Sequence, residues 1–179
     1  LNAIGQRPIS ALVDITNYIM IDLGRPLHAF DADKINGDTL FIRRAENEEK
    51  IFALNEKEYT CTSDMLVIGD RDGADDIAGI MGGHRTGISN TTKNLFLEIA
   101  VFEPVSVATT GRSLNIHSDA RYRFERGLDG ESPDSLSGYI ARFVQKICGG
   151  EISHVVSVGD GVKWKRKITF KPELTRQLT

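Results

Sequence analysis

Cysteine is nearly absent. The two present, Cys61 and Cys148, show neither metal-ligand spacing nor the dense framework of a small secreted scaffold. Two reduced thiols in a cytoplasmic protein are the expectation. No apolar run approaches the length of about 20 residues that a membrane-spanning helix needs, and no signal peptide is visible, so no membrane is expected among its partners. A surplus of positive charge is missing too. Lys and Arg number 22 against 25 Asp and Glu, a net charge of -3, which gives no general field for holding nucleic acid. Any RNA contact must be local or shared with a partner. Internal repeats and low-complexity stretches are also lacking. So are a phosphate loop with its Lys-Ser/Thr pair, a Ser/His/Asp or Cys/His arrangement, and any His/Asp cluster spaced for a metal, so no metal is expected.

What remains is a 179-residue chain that is 40% hydrophobic and 26% charged, enough for one sizeable core. It opens on Leu1 rather than Met and is expected to be a segment of a longer protein. Leu12, Ile15, Ile19 and Leu23 form one apolar face of a first helix, with Ser10 as its cap and Gly24 and Pro26 as its stop. Short runs rich in β-branched or aromatic residues follow: "TLFIRRA" (39–45), "KIFAL" (50–54), "EYTCT" (58–62) and "DMLVIGD" (64–70). "ADDIAGIMGGHRTG" (74–87) starts as a strand and dissolves into a glycine-rich bend. "NLFLEIAVF" (94–102) reads as a strand buried on both faces. A polar, arginine-bearing segment (108–130) leads to a second helix from Pro133 to Cys148, with Ser132 as cap and Gly149 as stop. "EISHVVSVGD" (151–160) is expected as a last strand, and "GDGVKWKRK" (159–167) as a linker. Strands outnumber helices without regular alternation, so the class is α+β.

Few residues carry chemistry. Glu98 interrupts an apolar run, and a carboxylate there must be paired, hydrogen-bonded or partly neutral. It reads either as a salt bridge to an arginine or as a specificity group at the floor of a pocket. Ala78, Gly79, Gly82 and Gly83 suit either a tight turn or a close approach of backbone to something else. Thr16 and Asn17 project from the first helix and His28 lies just past its end, a grouping that is either a cap or a site.

Five stretches, "VDITNYIMIDLGRPLHAFD", "IAGIMGG", "LEIAVFEP", "SDARYRFERGLD" and "ICGGEI", closely resemble the B3/B4 editing region of the bacterial phenylalanyl-tRNA synthetase β-subunit family, in unbroken order over residues 8 to 160. The resemblance implies a three-layer α+β domain containing a β-sandwich of unusual topology over 1–160. It makes 161–179 a linker and the truncated start of the next domain, B5. It also implies an enzyme: a hydrolytic site that removes tyrosine wrongly esterified to the phenylalanine tRNA. An apolar synthetic site rejects an extra hydroxyl only about a hundredfold, which is why a second site is needed.

On that resemblance Glu98 reads the tyrosine hydroxyl, and Ala78 and Gly79 make room for the ring. Thr16, Asn17, Pro26 and His28 surround the ester and its attacking water. The parent ligase would use ATP and Mg2+, with that chemistry in an α subunit of an α2β2 heterotetramer. Its partners would be that subunit and the phenylalanine tRNA, with no cofactor in this segment. A non-catalytic tRNA-docking module and a freestanding aminoacyl-tRNA deacylase are the alternatives. "ALNEKEY" (53–59) stands where relatives often carry an Asp-Gly turn, so a wider hairpin is expected. Asp75 and Asp76 stand where relatives are often apolar, and neither is expected to touch the pocket. Arg112, Arg121, Arg123 and Arg126 face either tRNA phosphates or neighbouring acids such as Asp119 and Glu125.

Overall fold

The computed structural model describes residues 1–159, 167–173 and 176. Most of the expected linker and next-domain start (161–179) lies outside them. Helix α1 (Ala11–Asp22) starts where Ser10 accepts a hydrogen bond from Val13 N, the usual role of a serine before a first turn. Leu23 closes it and Gly24 turns away with φ 67°. Ile15 and Ile19 pack with Ile140 of α4 (Ser132–Cys148) in one apolar cluster. The periodic face was legible, although Leu23 is 40% exposed and Met20 is buried instead.

The described strands form three small antiparallel sheets. β1 (His28–Asp31) pairs with β7 (Leu95–Glu98); β2 (Phe41–Arg44), β5 (Leu66–Asp70) and β6 (Gly73–Ile77) lie in the order β2-β5-β6; β3 (Glu49–Phe52) pairs with β4 (Glu58–Cys61). The glycine-rich bend stitches them together. Met81 bridges to Ile77, Gly83 to Ala53 and Gly87 to Phe30, so one segment touches all three sheets. A side chain at 83 would stand 2.0 Å from the Asp75 carbonyl oxygen, which is why that crossing takes glycine. Phe30, Ile51, Val67 and Ile77 fill the common core, and α2 (Pro104–Ser113) and α3 (Asp119–Phe124) close it with Val107 and Phe124. Helices beside antiparallel sheets make the class α+β.

Four local expectations are corrected. The run 94–102 is a strand only over Leu95–Glu98, in a two-stranded sheet with Phe96 45% exposed, so it is not buried on both faces. The polar segment 108–130 holds the second half of α2, which begins at Pro104, and all of α3; Glu103 and Ser118 cap these helices through their side chains. Ser132 does not cap α4; it is the first helical residue, and its hydroxyl accepts from Arg25 and donates to the Asp129 carbonyl. Residues 151–158 pair with no described strand and are exposed.

Candidate functional site

β1 follows directly from the turn that ends α1. Pro26 fixes the entry, and Arg25 before it is buried, donating to the carbonyls of Ala100 and Asp129 and to the Ser132 hydroxyl. One guanidinium therefore fastens the helix-strand turn to the segment after β7 and to the start of α4. His28 opens β1 in register with Glu98 on β7. Facing residues of an antiparallel pair project on the same side, so the sheet itself brings the imidazole and the carboxyl together.

Between them and the glycine-rich bend lies a cavity of about 70 Å³. Pro26, His28, Gly79 and Glu98 line it, along with Asp76, Gly82, Phe102 and Phe124. Ala78 is buried beside the wall but is not part of the lining. Thr16 and Asn17 are not in the lining either. They stand half-buried on α1, and the Thr16 hydroxyl donates to the carbonyl of Val13 in its own helix, 2.8 Å away. Gly79 has φ 72°, and a β-carbon there would meet Phe102 at 2.8 Å and Phe124 at 3.2 Å, so the aromatic wall needs its bare backbone. Gly82 does the same for the histidine: a β-carbon would lie 2.3 Å from His28 Cε1 and 3.0 Å from Nδ1.

Asp76 belongs to this site, against the expectation that it stays clear of it. Its Oδ2 is 3.3 Å from His28 Nε2, a buried atom that has no hydrogen-bond partner with the two groups as they stand. Its Oδ1 accepts from Gly83 N at 2.7 Å. The His28 ring also stands edge-on to Phe30, with centroids 4.4 Å apart. Nothing in the linear sequence ties residue 76 to residue 28. Only the bend that returns Gly82 and Gly83 alongside β6 places them together.

Burial dominates the electrostatics. It drives the Asp76 carboxyl well above the ordinary carboxylate range, with the Gly83 N–H opposing and Asp75 adding. It pushes Glu98 up to about 7, with His28 opposing and Asp76 adding. His28 is lowered by burial, with Glu98 and Asp75 pulling the other way. Asp75 is raised by burial although Arg85 contacts it at 2.7 Å. Glu98 accepts no hydrogen bond from any described residue and pairs with no arginine, so the salt-bridge reading of Glu98 is not what the fold uses. Near neutral pH its carboxyl is shared between charged and neutral forms. A ligand hydroxyl can donate to either, so a permanently charged acceptor is not required.

Three of the four arginines have acidic partners: Arg121 and Arg126 contact Glu125, and Arg123 contacts Asp119. Arg121 is buried, and the Arg112 side chain meets no described carboxylate. The β3–β4 hairpin turns through residues 53–57, where Ala53 N donates to the Lys57 carbonyl and Glu56 has φ 62°. Among the described residues no group of His, Cys, Asp and Glu is arranged to hold a metal ion, and no helix is long and apolar enough to cross a membrane.

Comparison with known proteins adds the family. Residues 1–149 match the model of the B3/4 domain. The chain is 47% identical over 178 residues to the phenylalanine-tRNA ligase beta subunit of Rhodospirillum rubrum, covering 99% of this chain. It is 50% identical over 178 residues to that of Ruegeria pomeroyi, with the same coverage, and 49% identical over 179 residues to that of Bartonella henselae, covering 100%. In each case it spans 22% of the relative's length.

Proposed function

The chain belongs to the B3/4 domain family, and from that premise we propose that it is the editing unit of a phenylalanine-tRNA ligase β subunit, hydrolysing tyrosine mischarged on the phenylalanine tRNA. One observation carries the reading: a carboxyl without a hydrogen-bond partner among the described residues, Glu98, faces a small cavity walled by Phe102, Phe124 and bare glycine backbone. An aromatic ring fits such a wall, and a ring hydroxyl finds its acceptor in Glu98. Phenylalanine has nothing to offer that group and leaves it unsatisfied, which is how a site built for a hydroxyl rejects the analogue without one.

The reaction needs no covalent enzyme intermediate, because the ester is already activated. The water oxygen bonds to the ester carbonyl carbon, the bond to the ribose oxygen breaks, and the water's proton ends on that oxygen. His28, across the sheet from Glu98, orients the reacting groups. Asn17 and Thr16 on α1, which packs on β1, supply the rim that receives the ribose and the water, and Pro26 and Ala78 shape the wall. Positioning and a few directed hydrogen bonds suffice for such a step. Residues 1–160 act as the editing unit, with 161–179 as linker and start of the next domain. The parent ligase acts in the cytoplasm as an α2β2 assembly with ATP and Mg2+, on phenylalanine and its tRNA.

Deacylation of tyrosyl- and phenylalanyl-tRNA, run on the αβ ligase and on this chain, tests the reading. Faster hydrolysis of the tyrosyl ester by the ligase supports it. Failure of the ligase to hydrolyse either ester returns the domain to a docking role.

A further inference from the structure

The buried acids around His28 exceed the cations available to them. Asp76 from β6, Glu98 from β7 and Asp75 from β6 are the charged groups that act on the imidazole. Arg85 answers Asp75 and Asp70, at 2.7 Å and 2.8 Å. No described lysine or arginine reaches Asp76 or Glu98. A bare Asp76 carboxylate would then be held by one backbone N–H, that of Gly83, and by a neutral imidazole. A buried anion with so little compensation takes up a proton instead.

We infer that a small turn of the imidazole aligns Nε2 with Asp76 Oδ2, 3.3 Å away, and that the pair then holds one proton between those two atoms near neutral pH, so that His28 presents Nδ1–H, a hydrogen-bond donor, to the cavity. Two arrangements share that proton. Either the acid donates to Nε2 and the neutral ring carries its hydrogen on Nδ1, or the carboxylate faces an imidazolium protonated on both nitrogens. Nδ1 bears hydrogen in both. The upward displacement of Asp76 by burial and the downward displacement of His28 favour the first arrangement. The Cε1–Nδ1 edge lies against Gly82, which lines the cavity, whereas Nε2 is buried against Asp76.

Asp76 is thus a positioning residue that fixes which nitrogen carries the hydrogen. The inference deepens the hydrolytic reading and rests on it for its chemical meaning: His28 donates to the ester carbonyl oxygen as negative charge grows there, and does not take the proton of the attacking water. The water is oriented by other groups, and its proton passes to the departing ribose oxygen.

The geometry also names the discriminating variant. Asn at 76 reproduces the protonated acid, its carbonyl accepting from Gly83 N and its amide donating to Nε2. Leu fills similar space and offers neither. Nitrogen NMR of the chain with 15N-labelled histidine reads the answer directly, since there are only four histidines and His28→Gln assigns the signal. Near neutral pH the wild type should show a proton-bearing Nδ1. At high pH, where the pair loses its proton, the hydrogen should move to Nε2. Asp76→Asn should keep Nδ1–H at both pH values, and Asp76→Leu should lose the preference. A wild type with bare Nδ1 and Nε2–H at neutral pH overturns the inference, as does an Asn variant whose histidine signal matches that of Leu. Both results are independent of deacylation, so a failed tautomer and a failed editing activity are told apart.

Discussion

Replacing Glu98 by Gln separates stability from selectivity. The carboxyl titrates near 4.5 in an unfolded chain and at about 7 in the folded one, because burial disfavours its charge. A group raised in this way contributes stability that is fully present below 4.5 and is lost as pH rises through 7. The gap is worth roughly 3 kcal/mol at about 1.36 kcal/mol per pH unit, an upper figure because the folded state can relax around a new charge. Gln keeps the shape and cannot ionise. Glu98→Gln should therefore match the wild type near pH 4.5 and exceed it by up to about 3 kcal/mol at pH 8.5. Urea unfolding of both proteins at a series of pH values gives the comparison. Parallel curves across the whole range would show that Glu98 is solvated or paired in solution and would refute the electrostatic argument. A stabilised variant that also edits poorly is the pattern expected of a strained functional group.

Other substitutions address the remaining parts of the site. His28→Ala or Asn17→Ala in the ligase should slow tyrosyl-tRNA deacylation by roughly ten- to a thousandfold while phenylalanine activation is unchanged. If the two serve one step, the double variant should be little worse than the poorer single one; lost thermal stability with normal editing would make Asn17 only a helix residue. Gly82→Ala drives a methyl group into the His28 ring at 2.3 Å; deacylation should fall about as far as in His28→Ala, and a normal rate would mean the ring is not held there. Arg25→Ala strands two carbonyls that a buried guanidinium now serves; denaturant unfolding should show a loss of about 3 kcal/mol or more.

The parts of the fold legible in the sequence are those with local causes. Ser10, the i, i+3, i+4 apolar face and Gly24 define α1, runs rich in β-branched or aromatic residues bounded by Asn, Asp and Gly locate β2 to β5, and the start of 74–87 locates β6. β1 carries no such signal, because its four residues, His28 to Asp31, include no β-branched side chain and lie two residues past Pro26. The helices α2 and α3 were hidden in polar composition, although Pro104 after Glu103 and Ser118 before Asp119 are start signals that could have revealed them. Residues 151–158 have strand-like composition and no described partner, since pairing depends on a neighbour that composition does not specify. In the site, Glu98 was legible as one carboxylate inside an apolar run. Asp76 was not, because its meaning depends on a tertiary return of the chain past Gly82 and Gly83. Thr16 and Asn17 were assigned by resemblance to a position whose geometry is set by α1 packing on α4, and they lie outside the cavity lining.

The central claim is that Glu98 selects the tyrosine hydroxyl, and the ratio of tyrosyl- to phenylalanyl-tRNA deacylation measures it most directly. A hydrogen bond from a phenol to an ionisable acceptor is worth about 1.5–3 kcal/mol, so Glu98→Ala in the ligase should lose roughly ten- to a hundredfold of the wild-type preference. The loss should appear in the tyrosyl rate and leave the phenylalanyl rate nearly unchanged. An identical preference in wild type and variant would contradict the account.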